Sequence, residues 1–382
     1  MNKESYKNRL MKHRICGVFN VAPLYRAAIY QMMEKELACD FYIGDKVATS
    51  LKKMDYSLLK RLRKILKYKK VWHEYYWQRG ALSVIKSSYT DIIITGDYHC
   101  LSTLLILILA RITGKRTYAW THGIYGKEHG LEKILKSLYL KLPHGLFLYG
   151  DYAKRLLMQD GFREDRMYCI YNSLDYDKQL KVRSSLRLSS LYVEHFSNNN
   201  PVLIFLGRIQ KVKRIDELLE AMVVLRGQGH MYNLVIVGKE VEETDIYQKV
   251  KDLQLEKQVW FYGPSYDEAT NGQLFYNADI CVSPGNIGLT AIHALMYGCP
   301  VITHNNFVRQ MPEFEAICDG STGKFFKEND IEDLSKVIHS FYSQIKDHKQ
   351  AVREECYKVI DRKYNPYAQI KVMKAAIFGE AQ

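Results

Sequence analysis

The sequence predicts an α/β protein made of two doubly wound parallel sheets, and three observations predict it. Short apolar runs that read as buried strands alternate with stretches of helical period through the first half of the chain. A second alternating series begins at PVLIFLGRI and runs to CPVITHN. Between them, residues 184–200 turn to Ser, Asn and scattered apolar residues without period, as a linker does. With 382 residues, 47% of them hydrophobic and 25% charged, the chain is long enough for about two or three domains with full cores.

In order, RICGVFN reads as the first strand, Leu24 to Leu37 as a helix and CDFYIGD as the second strand. The stretch Leu58 to Trp77 predicts a helix with Leu58, Leu62, Ile65, Leu66 and Trp72 on one side and Lys60, Arg61, Arg63, Lys64, Lys67 and Lys70 on the rest. DIIITGD, a helix over 100–113, KRTYAWTHG, a helix from about Leu131, GLFLYGD and MYCIYNSLD complete the first unit. The apolar run Leu104 to Ala110 falls well short of the roughly 20 residues of a membrane span and reads as buried helix. The second unit holds PVLIFLGRI, a helix over Asp216 to Leu225, NLVIVGK, a helix near Tyr247 to Leu253, QVWFYG, ADICVSP, a helix from about Leu289, and CPVITHN. The expected divisions are 1–182, a linker or irregular segment 183–200, 201–363, and a C-terminal helix 364–382 packed back on the first domain.

Charge is distributed unevenly. Residues 1–200 carry 34 basic and 18 acidic side chains, or +16, and residues 201–382 carry 21 and 24, or −3. Such a field attracts nucleic acid, anionic lipid headgroups or phosphorylated substrates. Eight widely spaced cysteines without a CxxC pair argue against a zinc ribbon or a dense disulfide framework and point to a reducing cytoplasm. The charged N-terminus lacks the pattern of a signal peptide.

Two segments can carry chemistry. GRIQKVKRIDELL sets Gly207 and Arg208 at a strand end with Lys213 five positions on, where cations can clamp a pyrophosphate, although both would also suit a solvated turn. SPGNIGLTAIHALMYGCPVI places Ser283-Pro284-Gly285 at a strand end and Gly288-Leu289-Thr290 at the start of a helix, an anion site or a plain connection capped by Thr290. Two such sites at adjacent strand ends favour phosphate binding. Asp175-Tyr176-Asp177 spells a metal-binding DxD in a context that reads as structural, and no histidine pair offers zinc.

The motifs LGRIQKVKRIDELLEA, NLVIVGK, SPGNIGLTAIHALMYGCPVITHN, MPEFEAI and STGKFF, with APLYRAAIY, THG and YNSLD in the first half, resemble those of family 4 glycosyltransferases. These are retaining enzymes of the GT-B fold, in which two facing Rossmann-like domains enclose a cleft. The resemblance implies that Arg208 and Lys213 hold the donor diphosphate and stabilise the leaving nucleotide. It further implies that Gly207, Gly238, Gly285, Asn286, Gly288, Leu289, Thr290 and Glu313 lie about the donor, and that His122 stands near the sugar ring. The family usually carries two glutamates seven residues apart, and here those positions are Gly285 and His293. His293 can hydrogen-bond a ribose or pack against its neighbours; Glu313 and Glu315 are possible substitutes, facing one way if extended and apart if in a turn. Asn20, Tyr25 and Arg26 lie where related enzymes have a glycine pair near donor phosphate, and this chain lacks that pair.

The resemblance therefore implies a hexosyltransferase, with no metal or cofactor, that uses a nucleotide-sugar and a saccharide or lipid-linked acceptor in surface glycan assembly. It is expected in the cytoplasm, peripheral on the anionic inner membrane surface through the basic first half and the Leu58 to Trp77 stretch, and not bound to nucleic acid. A GT-B relative that only binds sugar or nucleotide, and a GT-B nucleotide-sugar epimerase, are the alternatives.

Overall fold

The computed structural model describes residues 12–46 and 52–379; the charged segment 1–11 and the last three residues of the expected C-terminal helix lie outside them. The chain divides into two compact units, one of Met1–Asp175 with Asn365–Gln382 and one of Tyr176–Tyr364.

Unit 1 contains strands β1 (Ile15–Phe19), β2 (Asp40–Gly44), β3 (Leu62–Trp72), β4 (Tyr75–Arg79), β5 (Asp91–Thr95), β6 (Arg116–Thr121), β7 (Gly145–Leu148) and β8 (Met167–Cys169). Its helices are α1 (Ala27–Leu37), α2 (Ser83–Lys86), α3 (Leu101–Ile112), α4 (Gly130–Lys141) and α5 (Asp151–Gln159). The sheet order is β4-β3-β2-β1-β5-β6-β7-β8, parallel except for β4. Because both faces of β1 and β5 are covered, these strands read as continuous apolar runs, and separate apolar clusters lie on the two sides.

The Leu58 to Trp77 stretch is not a helix but the β3–β4 hairpin. Leu62 and Leu66 share a face in either structure, which is how a strand can imitate helical spacing. What decides is the company: Tyr68, Val71, Trp72, Tyr75, Tyr76 and Trp77 are β-branched or aromatic, and at the margin of the sheet only one face is buried. The lysines of β3 are exposed, on the solvent side of the hairpin whose outer strand, β4, is the sheet edge. Arg61 and Arg63 are engaged besides, both pairing with Asp40, at 2.8 and 3.1 Å.

Unit 2 opens with α6 (Tyr176–Ser185) and α7 (Leu191–Phe196). The expected linker 183–200 is thus half helical, and its apolar residues have a place: Tyr192 is buried and donates to the Leu274 carbonyl, while Val193 stays exposed. The sheet follows, with β9 (Val202–Leu206), α8 (Ile215–Gly227), β10 (Asn233–Val237), α9 (Ile246–Asp252), β11 (Val259–Gly263), α10 (Glu268–Asn277), β12 (Ile280–Ser283), α11 (Thr290–Met296), β13 (Val301–His304) and β14 (Gly323–Phe326). Its order is β11-β10-β9-β12-β13-β14, all parallel. Helices α12 (Ile331–Ile345) and α13 (Lys349–Arg362) complete the unit.

The last helix, α14 (Pro366–Phe378), belongs to unit 1. Asn365 caps it by accepting from the Ala368 N–H, with proline at the first helical position. Met373 and Ile377 are buried with Tyr30, Met33 and Leu37, and Lys374 pairs with Glu36. Each sheet has one point where the strand order reverses, between β1 and β5 in unit 1 and between β9 and β12 in unit 2. In open parallel sheets the crevice beyond the strand carboxyl ends at such a point is where ligands bind.

Candidate functional site

In unit 2 the predicted residues gather at that reversal. Gly207 and Arg208 leave β9, the 3-10 turn Lys211–Lys213 follows, and residues 284–289 leave β12. The two segments are stitched together: the Gly285 N–H donates to the Lys213 carbonyl at 3.0 Å, and Lys213 Nζ donates to the carbonyl and Oδ1 of Asn286 at 2.6 and 2.9 Å. A Cβ at position 285 would stand 2.0 Å from the Val212 carbonyl oxygen. The first of the two missing carboxylates is therefore excluded by the backbone of the 211–213 turn.

Buried polar groups fix the outer side of this loop. Gln310 accepts from the Ile287 N–H at 2.8 Å and donates to Thr303 Oγ1 and the His304 carbonyl, while Thr303 donates to the Ser283 carbonyl at 2.8 Å. The Thr290 hydroxyl does not cap α11; it donates to the Leu206 carbonyl at 3.0 Å and ties that helix to the end of β9. Gly238 serves a close approach, since a Cβ there would meet the Gly207 carbonyl oxygen at 1.8 Å.

The electrostatics are those of an anion site. Lys213 is pushed down to about 8, first by burial and then by the charge of Arg208, with Glu313 opposing both. Arg208 is exposed and makes no hydrogen bond or ion pair with any described residue. The segment 312–316 is a 3-10 turn, so Glu313 and Glu315 do not share a face: Glu313 is buried, with Oε2 at 3.9 Å from the place of a Cβ on Gly288, and Glu315 is half-buried.

His293 turns to the packing side. Its Nε2 lies 2.8 Å from Glu268 Oε1, and its ring meets Phe275 and Tyr297. Glu268 also accepts from Tyr297 at 2.7 Å and Gln179 at 3.0 Å, so one carboxylate joins α6, α10 and α11. Burial raises its pKa, but the hydrogen bond and charge of His293, with the other two donors, bring it down to about 2.

In unit 1 a cavity of about 400 Å³ opens at the β1/β5 reversal, walled by Asn20, Arg26, Asp97, Trp120, His122 and Tyr149 among others. The Arg26 guanidinium stands over the Trp120 ring at 4.8 Å and donates to the Tyr149 hydroxyl. His122 packs on Tyr149 and is pushed down to about 3 by burial first, then by Arg26 and Lys136, so it is neutral at physiological pH. Lys136 pairs with Glu128 at 2.6 Å, and Asp97 is engaged by His99 and Tyr76. Of these, Trp120, Lys136, Glu128 and Tyr149, like Gln310 and Glu268 in unit 2, escape sequence reading, because nothing in their local pattern separates them from surface or core residues.

Two outcomes follow. Gly285→Glu should displace the 211–213 turn, and the melting temperature should fall. Glu268 is held below its ordinary value, so its contribution is complete above about pH 4.5 and is lost as pH falls toward about 2. Denaturant titrations across that range should show up to about 3 kcal/mol of loss, an estimate from about 1.4 kcal/mol per pKa unit. Glu268→Gln should flatten this segment of the profile, and His293→Ala should lower the melting temperature.

Residues 193–358 match the family described as glycosyl transferases group 1. An uncharacterized 41.2 kDa protein in the cps region of Klebsiella pneumoniae is 27% identical over 228 residues, and the match spans 57% of this chain and 58% of that protein. Among solved structures, Anabaena Alr3699/HepE in complex with UDP superposes with a TM-score of 0.71 at 14% identity, covering 96% of this chain and 100% of that one. The lipopolysaccharide outer core galactosyltransferase WaaB in its apo form gives 0.68 at 14% identity, with 96% and 100% covered. The chain thus has the GT-B fold, and within its second unit residues 193–358 are similar to the glycosyl transferases group 1 family.

Proposed function

We propose that the protein is a retaining glycosyltransferase of family 4 type that moves a hexose from a nucleotide-sugar to a saccharide or lipid-linked acceptor in surface polysaccharide or lipopolysaccharide assembly. The observation that carries this reading is the crowding of Arg208 and Lys213 at the β9/β12 reversal, with Lys213 held by carbonyl oxygens instead of a carboxylate. Such a pair is matched by a diphosphate. Charge grows on the departing nucleotide as the glycosidic bond breaks, so cations fixed there stabilise the transition state more than the ground state. In this reading the leaving phosphate takes the acceptor proton on the same face, and the chemistry needs no metal or cofactor. Gly207, Gly288, Leu289 and Glu313 border the donor, and His122, neutral, orients a sugar hydroxyl. The chain's likeness to a cps-region protein and to a structure in complex with UDP supports a glycan product and a uridine donor.

The peripheral membrane position belongs to the same proposal, on a different surface from the β3–β4 hairpin. No helix among the described residues is long and apolar enough to cross a membrane. Helix α4 exposes Leu131, Ile134, Leu135 and Leu138 at 70, 55, 45 and 58%, one stripe at helical spacing, with Lys133 and Lys141 on the same helix. An apolar stripe with lysines beside it suits an anionic bilayer surface on the cytoplasmic side.

Arg208→Ala and Lys213→Ala should each lower turnover on the order of a hundredfold, by the measure of lost oxyanion stabilisation, at unchanged melting. Lys213 carries its charge below about pH 8, so kcat/KM should fall as pH rises through that value, and Lys213→Arg should remove the fall. Sugar interconversion without acceptor would instead make the protein an epimerase, and tight donor binding without turnover a binding protein. For the membrane position, co-sedimentation should be strong with anionic vesicles, weak with neutral ones and reduced by salt. Leu131→Ser with Leu138→Ser should abolish it while turnover on a soluble acceptor stays; binding by the double variant equal to the wild type overturns this surface.

A further inference from the structure

Three nitrogen atoms of residues that wall the unit 1 cavity are buried and have no hydrogen-bond partner among the described residues: Arg26 Nε, Trp120 Nε1 and His122 Nδ1. The wall in question is built by the loop after β1, which carries Arg26, and the end of β6, which carries Trp120 and His122, so two segments far apart in sequence bring unmet hydrogen-bonding groups to one wall. Unmet buried donors are rare in folded proteins, and three on one cavity call for a ligand. Arginine and indole nitrogens only donate, so the ligand must accept.

Charge narrows the class further. Among the described residues no carboxylate pairs with Arg26; its neighbours are aromatic, the rings of Tyr25, Trp120 and Tyr149 with the phenolic groups of Tyr30 and Tyr149. The two acidic groups nearby are already committed, Glu128 to Lys136 and the Tyr125 and Gly126 N–H groups, Asp97 to His99 and Tyr76. The cavity therefore holds a cation with an open valence, and a neutral sugar would leave it uncompensated.

We propose that this cavity is an oxyanion subsite for the acceptor, in which Arg26 and the Trp120 N–H bind a carboxylate or phosphate carried next to the reacting sugar. The proposal rests on the glycosyltransferase reading and adds to it the acceptor's charge. A uronic acid and a sugar or lipid-linked phosphate present the same chemistry here. His122 lines the same cavity, and a negative group beside Arg26 would offset one of the two cations that oppose its protonation.

The test uses the full chain with four probes, methyl glucuronide, inorganic phosphate, methyl glucoside and UDP, followed by calorimetry and by the ring resonances of His122. Either anion should bind and shift the His122 resonances, and methyl glucoside should do neither. Preference for the glucuronide assigns a uronic acid, and preference for phosphate a phosphorylated acceptor. Arg26→Gln should weaken anion binding tenfold or more, Arg26→Lys should keep part of it, and UDP affinity should be unchanged in both. Absence of any His122 shift with either anion in the wild type overturns the proposal, and that arm needs no variant to fold. Loss of UDP affinity in Arg26→Gln also overturns it, by giving the site to the donor diphosphate. If the wild type binds the anions but not UDP, the donor reading fails while the subsite stands.

Discussion

The candidate donor site depends on one close approach, the backbone of Gly285 against the turn at 211–213. With no Cβ in the way, the Gly285 N–H reaches the Lys213 carbonyl, and the next residue, Asn286, turns two oxygens onto Lys213 Nζ. The cation is thus positioned by the same contact that joins the ends of two neighbouring strands. Gln310 and Thr303 hold the far side of the loop, so its conformation is set by buried hydrogen bonds on both flanks. A charge held by neutral oxygens in a half-buried place is costly to keep, which is what the lowered pKa of Lys213 reports, and an arriving diphosphate relieves that cost.

Unit 1 uses the same device with different parts. Arg26 is carried on aromatic faces and a phenolic hydroxyl where Lys213 is carried on amide oxygens, and in both places the nearby carboxylates leave positive charge in excess. Net charge does not foretell this. Residues 201–382 sum to −3 and residues 1–200 to +16, yet each unit places uncompensated cations at its own strand reversal. Local desolvation and pairing decide what a charge can do; the total decides only the long-range field.

Most of the fold was legible because strands buried on both faces have no disguise: DIIITGD, PVLIFLGRI and NLVIVGK are each recovered as strands. The failures come where burial is one-sided. In the β3–β4 hairpin the spacing of Leu62 and Leu66 satisfies a helix as well as a strand, and only the sheet edge beside it resolves the choice. Residues 184–200 looked structureless because α7 buries little more than Tyr192, too little to show a period over six residues. At the site, the glycines and Arg208 and Lys213 could be placed by motif, since strand ends constrain them. The partner of His293 could not: Glu268 lies 25 residues away on another helix, and no local pattern marks a polar group that tertiary packing will bury.

The loss of both usual carboxylates then has a single physical reading. Position 285 has no volume for a side chain, and position 293 has spent its hydrogen bond on Glu268. The remaining acid, Glu313, is buried within the influence of Lys213 and close to Gly288, so the donor region keeps two cations against one carboxylate. Removing negative charge from around a departing diphosphate favours its departure, whereas a carboxylate near the sugar chiefly holds the sugar's hydroxyls. In the proposed reaction this moves the work from gripping the hexose to stabilising the leaving group, and a mechanism in which that leaving phosphate is itself the base loses nothing essential by it. What such a site would give up is selectivity for the sugar, which in the proposed reading falls to the unit 1 cavity, where Arg26, Trp120 and His122 carry unmet polar groups.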